Sequence, residues 1–159
     1  MTMDARIDFT SSQILQKFVR HINAAAGSVP KDLLPKGTAN LMLIRASQIN
    51  SCSVCTDMHT KDAAHEGETP VRINLVAAWR DANVFTEAER AALELTEQGT
   101  RLADGAAGVS DETWANAAKY YDTDQLAALV VTISVINAYN RFNALLKNPG
   151  GDYQPGQWG

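Results

Sequence analysis

Apolar residues recur along this chain at helical rather than strand spacing. Between Ser11 and Ala25, Ile14, Leu15, Phe18, Val19 and Ile22 line up three or four apart, which predicts a helix with one apolar face. The stretch "VPKDLLPKG" is punctuated by Pro30, Pro35 and Gly37 and reads as a loop holding at most one helical turn. Thr38 is a candidate cap for a helix that carries Leu41, Met42, Leu43, Ile44 and Ile49 to about Asn50. A further helix is expected from Ser51 to about Glu66, with Gly67 stopping it. Thr69 followed by Pro70 is a start signal, and "PVRINLVAAWRDA" follows as one helix. Thr86 and Glu89 form a capping box at the head of "EAERAALELTEQGTRLA". Ser110 and Asp111 open a short helix through Trp114 to Tyr121, and Asp122 with Gln125 opens the last and longest one. In that last helix the segment from Leu126 to Ile136 is apolar nearly all round, which predicts burial on every side. The helices are too few to wrap it within one chain, so an oligomer interface is expected to extend the core. The tail "NPGGDYQPGQWG" is rich in proline and glycine and reads as an extended arm.

The pattern thus predicts one all-α domain over residues 1–148, a bundle of about six to seven helices, with an arm over 149–159. A chain of 159 residues with 45% apolar and 20% charged residues suits a single globular core. Its net charge of −4 offers no electrostatic footprint for nucleic acid or an anionic membrane surface. The longest apolar run, Leu126 to Val131, is far shorter than the roughly 20 residues of a membrane span. The opening "MTMDARIDFT" has no basic region leading into an apolar core, so no secretory signal and a cytoplasmic location are expected.

Chemistry concentrates in "SQINSCSVCTDMHTKDA", Ser47 to Ala63, which holds both cysteines and one of the three histidines. Cys52 and Cys55 are spaced C-x-x-C, and in a cytosolic chain such a pair points to redox chemistry or metal rather than a structural disulfide. With Ser51 as cap, Cys52 takes the first helical position and Cys55 lies in the first turn, where free N–H groups and the dipole favour a thiolate. His59 is one turn beyond Cys55 on the same face, able to accept the thiol proton or to pair with the thiolate. The second cysteine can condense with a sulfenic acid to close a disulfide. Two alternatives stand beside this. The cysteines can simply pack, or they can bind zinc with His59 and a fourth ligand from Asp62, His65 or His21. His21 and His65 otherwise read as surface or half-buried helix residues. Trp79, Trp114 and Trp158 read as core, rim or tail anchors. Glu87, Glu89, Glu94 and Glu97 read as the solvated face of a helix, and Arg80 and Arg141 as partners for unnamed carboxylates.

The stretch "LMLIRASQINSCSVCTDMHTKDAAHEGET" resembles the core of the carboxymuconolactone decarboxylase-like superfamily, in its alkyl hydroperoxidase D branch. The likeness continues through "INLVAAWRDANVFTEAERAALELTE", "VINAYNRFNALLK" and "YQPG", and so covers nearly everything after Thr38. The decarboxylases behind the superfamily's name generally lack the C-x-x-C, which argues against lactone decarboxylation here. The resemblance implies an all-α fold whose long helices associate into homo-oligomers, commonly trimers or hexamers. It also implies a thiol-dependent hydroperoxide reductase of the antioxidant, peroxiredoxin type. In that activity the C-x-x-C closes on peroxide and is reopened by a dithiol reductant, lipoyl-linked or thioredoxin-like, with no haem, flavin or metal. By motif position Cys55 would attack the peroxide, Cys52 would resolve it and face the reductant, and His59 would relay protons. One position departs from the family. A glutamate typically sits twelve residues before the first cysteine to assist the relay, and here that residue is Asn40. An amide can orient a water or His59 but cannot take up a proton at neutral pH. General acid–base help is typically worth ~10²–10⁴-fold, so slower peroxide turnover is expected with thiol–disulfide exchange preserved. A dithiol-exchange or redox-sensing module is therefore the alternative expectation.

Overall fold

The fold was analysed in a computed structural model that describes residues 4–105 and 108–158. Residues 1–3, 106–107 and 159, which fall inside the expected domain and arm, lie outside the described residues. Among the described residues seven α-helices follow one another: α1 Gln13–Ala26, α2 Thr38–Ile49, α3 Ser53–His65, α4 Pro70–Leu75, α5 Glu87–Thr100, α6 Asp111–Ala117 and α7 Thr123–Leu146. No strand occurs among the described residues, and the chain is all-α as its periodicity predicts.

Local signals set most boundaries. Thr69 caps α4 through Arg72 N, and Pro70 occupies its first turn. Reciprocal capping boxes open α5 (Thr86 with Glu89) and α7 (Asp122 with Gln125). Three boundaries differ from expectation. Gly37, at φ 83°, precedes α2 where the sequence predicts Thr38 as the cap; Thr38 is instead the first helical residue and is buried. The segment after Pro70 breaks after one and a half turns into a 3-10 turn, Val76–Asp81, with Ala78 out of helical geometry. The break lets Trp79 turn inward to 3% exposure and donate its indole N–H to Glu97 at 3.0 Å. Finally, α6 stops at Ala117, so that Tyr121 can bury its ring and donate to Ala88 O at 2.8 Å.

The hub of the bundle is α2, not α7. It packs against α3, α5 and α7 and contributes to apolar clusters on each side. Met42 joins Leu95, Leu129 and Ile133; Leu41 and Ile44 join Val76, Trp79 and Leu93; Ala46 joins the two cysteines and Ile136. Within a single chain α7 is covered by its own neighbours on one side only. Ala128, Leu129, Ile133 and Ile136 face the core, whereas Val130, Ser134 and Leu145 face outward. By length and composition α7 could cross a membrane, but its inner face carries asparagines bonded to neighbouring helices. The glutamates of α5 also divide. Glu87 is solvated as expected, but Glu89 is buried and ion-paired with Arg72 at 2.5 Å, and Glu97 receives Arg45 at 3.0 Å. Arg80 pairs with Glu94, and Arg141 donates to Asn137 on its own helix.

Candidate functional site

The cysteine pair occupies the corner between α2 and α3, and the corner is built from asparagines. At the end of α2, Asn50 donates its amide to Asn137 Oδ1 (3.0 Å) and Asn140 Oδ1 (2.9 Å) of α7. Asn140 is fully buried and donates in turn to Ser47 Oγ at 3.2 Å, which satisfies a group that would otherwise cost free energy in an apolar core. With Asn50 so fixed, Ser51 turns the chain through left-handed space (φ 52°), and Cys52 N donates to Ser47 O at 3.0 Å. The turn moves the cap by one residue. Cys52, not Ser51, is the N-cap of α3, and its sulfur accepts from Cys55 N at 3.4 Å. Cys55 is then the third helical residue, still within the first turn as expected.

The two sulfurs are joined in a disulfide, with Cα atoms 5.4 Å apart. Both cysteines are 2% exposed, packed among Ala46, Val54 and Ile136, yet Ser51 and Ser53 on either side of Cys52 are exposed. A second donor reaches the pair from α7. Asn143 Nδ2 lies 3.3 Å from Cys55 Sγ, and Asn143 Oδ1 accepts from Asn148 Nδ2 at 2.7 Å.

His59 lies on α3 one turn past Cys55, half-buried. Burial pushes its pKa down to about 4, so with the disulfide closed the ring is neutral at physiological pH. Asn40 is elsewhere. Its amide donates to Glu66 Oε2 at 2.7 Å, just past the end of α3. Glu66 is eleven residues beyond Cys55, roughly 16 Å along the helix axis at 1.5 Å per residue. Cys52, Cys55 and His59 thus share the first half of α3, whereas Asn40 meets its far end. In this state the sulfurs bind each other, and no group of three His, Cys, Asp or Glu among the described residues could hold a metal ion.

The C-terminal arm closes over the outer side of α3. Gly150 lies so close that a Cβ there would sit 2.5 Å from Ser53 O. Asp57 accepts from Gly151 N (2.7 Å) and Tyr153 N (3.2 Å), and Lys61 bridges Asp57 to the carbonyls of Gly151 and Tyr153. Burial works to raise the Asp57 carboxyl, but Lys61 and the two backbone donors together hold it below the usual carboxylate range. The Tyr153 hydroxyl donates to Asp62 at 2.8 Å, and Trp158 packs on the Tyr153 ring. The arm is non-helical to Gln154, then turns over 155–158; it is docked on α3. A groove of about 390 Å³ separates it from Lys31, Met58, His65 and Glu66, and the sulfurs do not line it.

Asn50, Asn137, Asn140 and Asn143 were not anticipated. A signal for the last three exists in "NAYNRFN": asparagines at intervals of three in a largely apolar helix mark a polar stripe on one face, since asparagine is a poor helix former.

Known proteins share the all-α fold of this chain. The model of the carboxymuconolactone decarboxylase family matches residues 13–98, slightly more than half of the chain. The chain belongs to that family. The uncharacterised protein YdfG of Bacillus subtilis (strain 168) is 40% identical over 111 residues, 70% of this chain and 74% of YdfG. A protein of unknown function from Agrobacterium tumefaciens, provisionally placed with the antioxidant defence protein AhpD, superposes with a TM-score of 0.83 at 28% identity. That match covers 94% of this chain and all of the other. The AhpD core of a peroxidase-related protein from Ralstonia eutropha JMP134 shares the fold, with a TM-score of 0.72 at 17% identity over 86% of this chain and 72% of that one. Within the family, the all-α carboxymuconolactone decarboxylase-like chain stands in the alkyl hydroperoxidase D branch.

Proposed function

We propose that this chain is a thiol-dependent hydroperoxide reductase working through the Cys52–Cys55 dithiol–disulfide cycle. The observation that carries the reading is the pair itself, closed as a disulfide across the first turn of a helix, with donors directed at each sulfur. The Cys55 thiolate attacks the terminal oxygen of a hydroperoxide. The O–O bond breaks, the alkoxide takes a proton delivered through His59 and leaves as the alcohol, and Cys55 becomes a sulfenic acid. The Cys52 thiolate then attacks the Cys55 sulfur and expels hydroxide, which leaves as water, giving the disulfide. A dithiol reductant, lipoyl-linked or thioredoxin-like, reopens it by exchange. No cofactor enters the cycle. The reading includes a homo-oligomer, trimer or hexamer, in the cytoplasm.

A second reading, dithiol exchange or redox sensing with little peroxide turnover, is favoured by one observation. The position for a relay glutamate holds Asn40, and its amide is engaged by Glu66 away from the sulfurs. One experiment separates the two. Reduced protein mixed with an alkyl hydroperoxide in stopped flow should lose two thiols per chain, give the Cys52–Cys55 disulfide by mass spectrometry, and turn over with a dithiol donor. Cys55→Ser should abolish peroxide consumption. Full consumption by Cys55→Ser would refute the first reading, and rapid exchange with negligible peroxide turnover in the wild type would establish the second.

A further inference from the structure

We infer that Asn143 is a further catalytic group of this site, its amide held by the segment after α7 so as to stabilise the Cys55 thiolate. The inference rests on reading Cys52–Cys55 as a working redox pair, and it concerns which sulfur departs when the pair is opened.

The geometry fixes the direction of the amide. Lys147 turns the chain through left-handed space at the end of α7 (φ 55°), bringing Asn148 back so that its N–H donates to Asn143 O at 3.1 Å. The Asn148 side chain donates to Asn143 Oδ1, which leaves the Asn143 nitrogen facing Cys55 Sγ at 3.3 Å. Asn148 is itself tied to α3, because Ser53 Oγ donates to its carbonyl at 3.3 Å. The amide therefore presents a donor, not an acceptor, to the sulfur, and a donor favours the charged form of a thiol.

Charged groups around the pair are committed elsewhere. On α3, Asp57 and Lys61 pair with each other and hold the arm. On α2, Arg45 binds Glu97 of α5; on α7, Arg141 donates to Asn137 and Lys147 is exposed at the helix end. The arm's Asp152 is exposed. His59 is neutral with the disulfide closed. Neutral His59 keeps one N–H, and the first-turn N–H groups of α3 lie near, but the side-chain donor already placed on Cys55 Sγ is the Asn143 amide.

This arrangement assigns a direction to exchange. An incoming thiolate attacks Cys52 Sγ, which lies between the exposed Ser51 and Ser53, and the S–S bond breaks. A mixed disulfide forms on Cys52, and Cys55 departs as the thiolate that Asn143 receives. The second thiol of the reductant then releases Cys52.

The test titrates Cys55 alone, in a Cys52→Ser chain, by the pH dependence of iodoacetamide alkylation read by mass. Hydrogen bonds to charged groups are worth enough to move such a titration by about one pH unit. With Asn143 intact, the midpoint should fall below the ordinary thiol value of about 8.5. Asn143→Ala and the uncharged, similarly shaped Asn143→Leu should each raise it by about one pH unit, with Asn148→Ala raising it less. In the chain with both cysteines, glutathione should be trapped on Cys52, and Asn143→Leu should move part of the adduct to Cys55. Asn143→Leu keeps the approximate shape of the side chain and adds no charge, so it carries the test if Asn143→Ala does not fold. An unmoved midpoint in folded Asn143→Leu overturns the inference. A moved midpoint in a protein that consumes no peroxide would sink the peroxidase reading and leave this one standing; the reverse pattern would sink only this one.

Discussion

His59 enters the folded chain as a neutral imidazole because burial favours the uncharged ring and pushes its pKa down to about 4. The ordinary value is about 6.5, so between these two pH values the unfolded chain binds more protons than the folded one. Stability is then complete above about pH 6.5 and falls as pH drops toward 4. A tenfold change in proton affinity is worth about 1.4 kcal/mol, which sets a ceiling of roughly 3 kcal/mol for a ring that still reaches the surface in part. Carboxylates such as Asp57, Glu89 and Glu97, whose pKa values are held low in the fold, also lose stabilising charge on acidification. A comparison of variants removes that background. Urea melts of the oxidised protein at about pH 7 and about pH 4.5 should show a loss at least ~1 kcal/mol greater in wild type than in His59→Phe or His59→Gln. Equal losses would mean that the ring is not held neutral. A neutral ring also suits the chemistry proposed for it, since it can accept a proton, whereas a permanent imidazolium cannot.

The docked arm is where an element-scale prediction is sharpest. Gly150 leaves no room for a side chain against the Ser53–Val54 peptide, and the obstructing atoms are backbone in the first turn of α3. Gly150→Ala should therefore lift the arm from α3, costing about 1–3 kcal/mol as overpacking does. It should also expose the chain near Tyr153 to limited proteolysis. An unchanged melt and an unchanged digestion pattern would show that the arm is not fastened there. The same element shows why only part of the fold was legible in the sequence. Helix starts with self-contained chemistry, such as Thr69–Pro70, Thr86 with Glu89 and Asp122 with Gln125, were readable because both partners lie within four residues. The cap at Cys52 was not, because the corner that selects it over Ser51 is set by Asn137 and Asn140, 87 and 90 residues from Asn50. Composition points to a non-helical tail, but its docking depends on Asp57, Lys61 and Asp62 meeting groups of the arm that carry no sequence signature. The two cysteines were conspicuous by spacing, whereas the Asn143 donor was hidden in a helix read only for its apolar residues.

At the scale of the whole molecule, the apolar face of α1 is left incompletely covered. It runs antiparallel to α7, with Phe18 stacked on Phe142 at 5.5 Å and Tyr139 bonded to Asn23. That register carries Ile14 toward Leu145, and Arg6 N bonds Leu146 O, bringing Ile7 to the same end. Ile14 is 81% exposed, Leu145 69% and Ile7 47%, although the periodicity of α1 is that of a helix with a face to bury. Burying one such side chain is worth about 1.5–3 kcal/mol, so several together would contribute substantially to association. The oligomer proposed here is expected to use this surface. The unmodified protein should sediment at a multiple of its 17.2 kDa chain mass at tens of micromolar. Ile14→Glu combined with Leu145→Glu, both on the outer surface, should shift it toward the monomer while leaving the α-helical spectrum intact. The cysteine corner shares the C-terminal end of α7 with this face, Asn143 being two residues from Leu145, but the sulfurs are packed among residues of their own chain, so peroxide reactivity should survive dissociation at comparable rate. A wild type that sediments as a monomer, or an oligomer indifferent to both substitutions, would remove this face from the account of assembly.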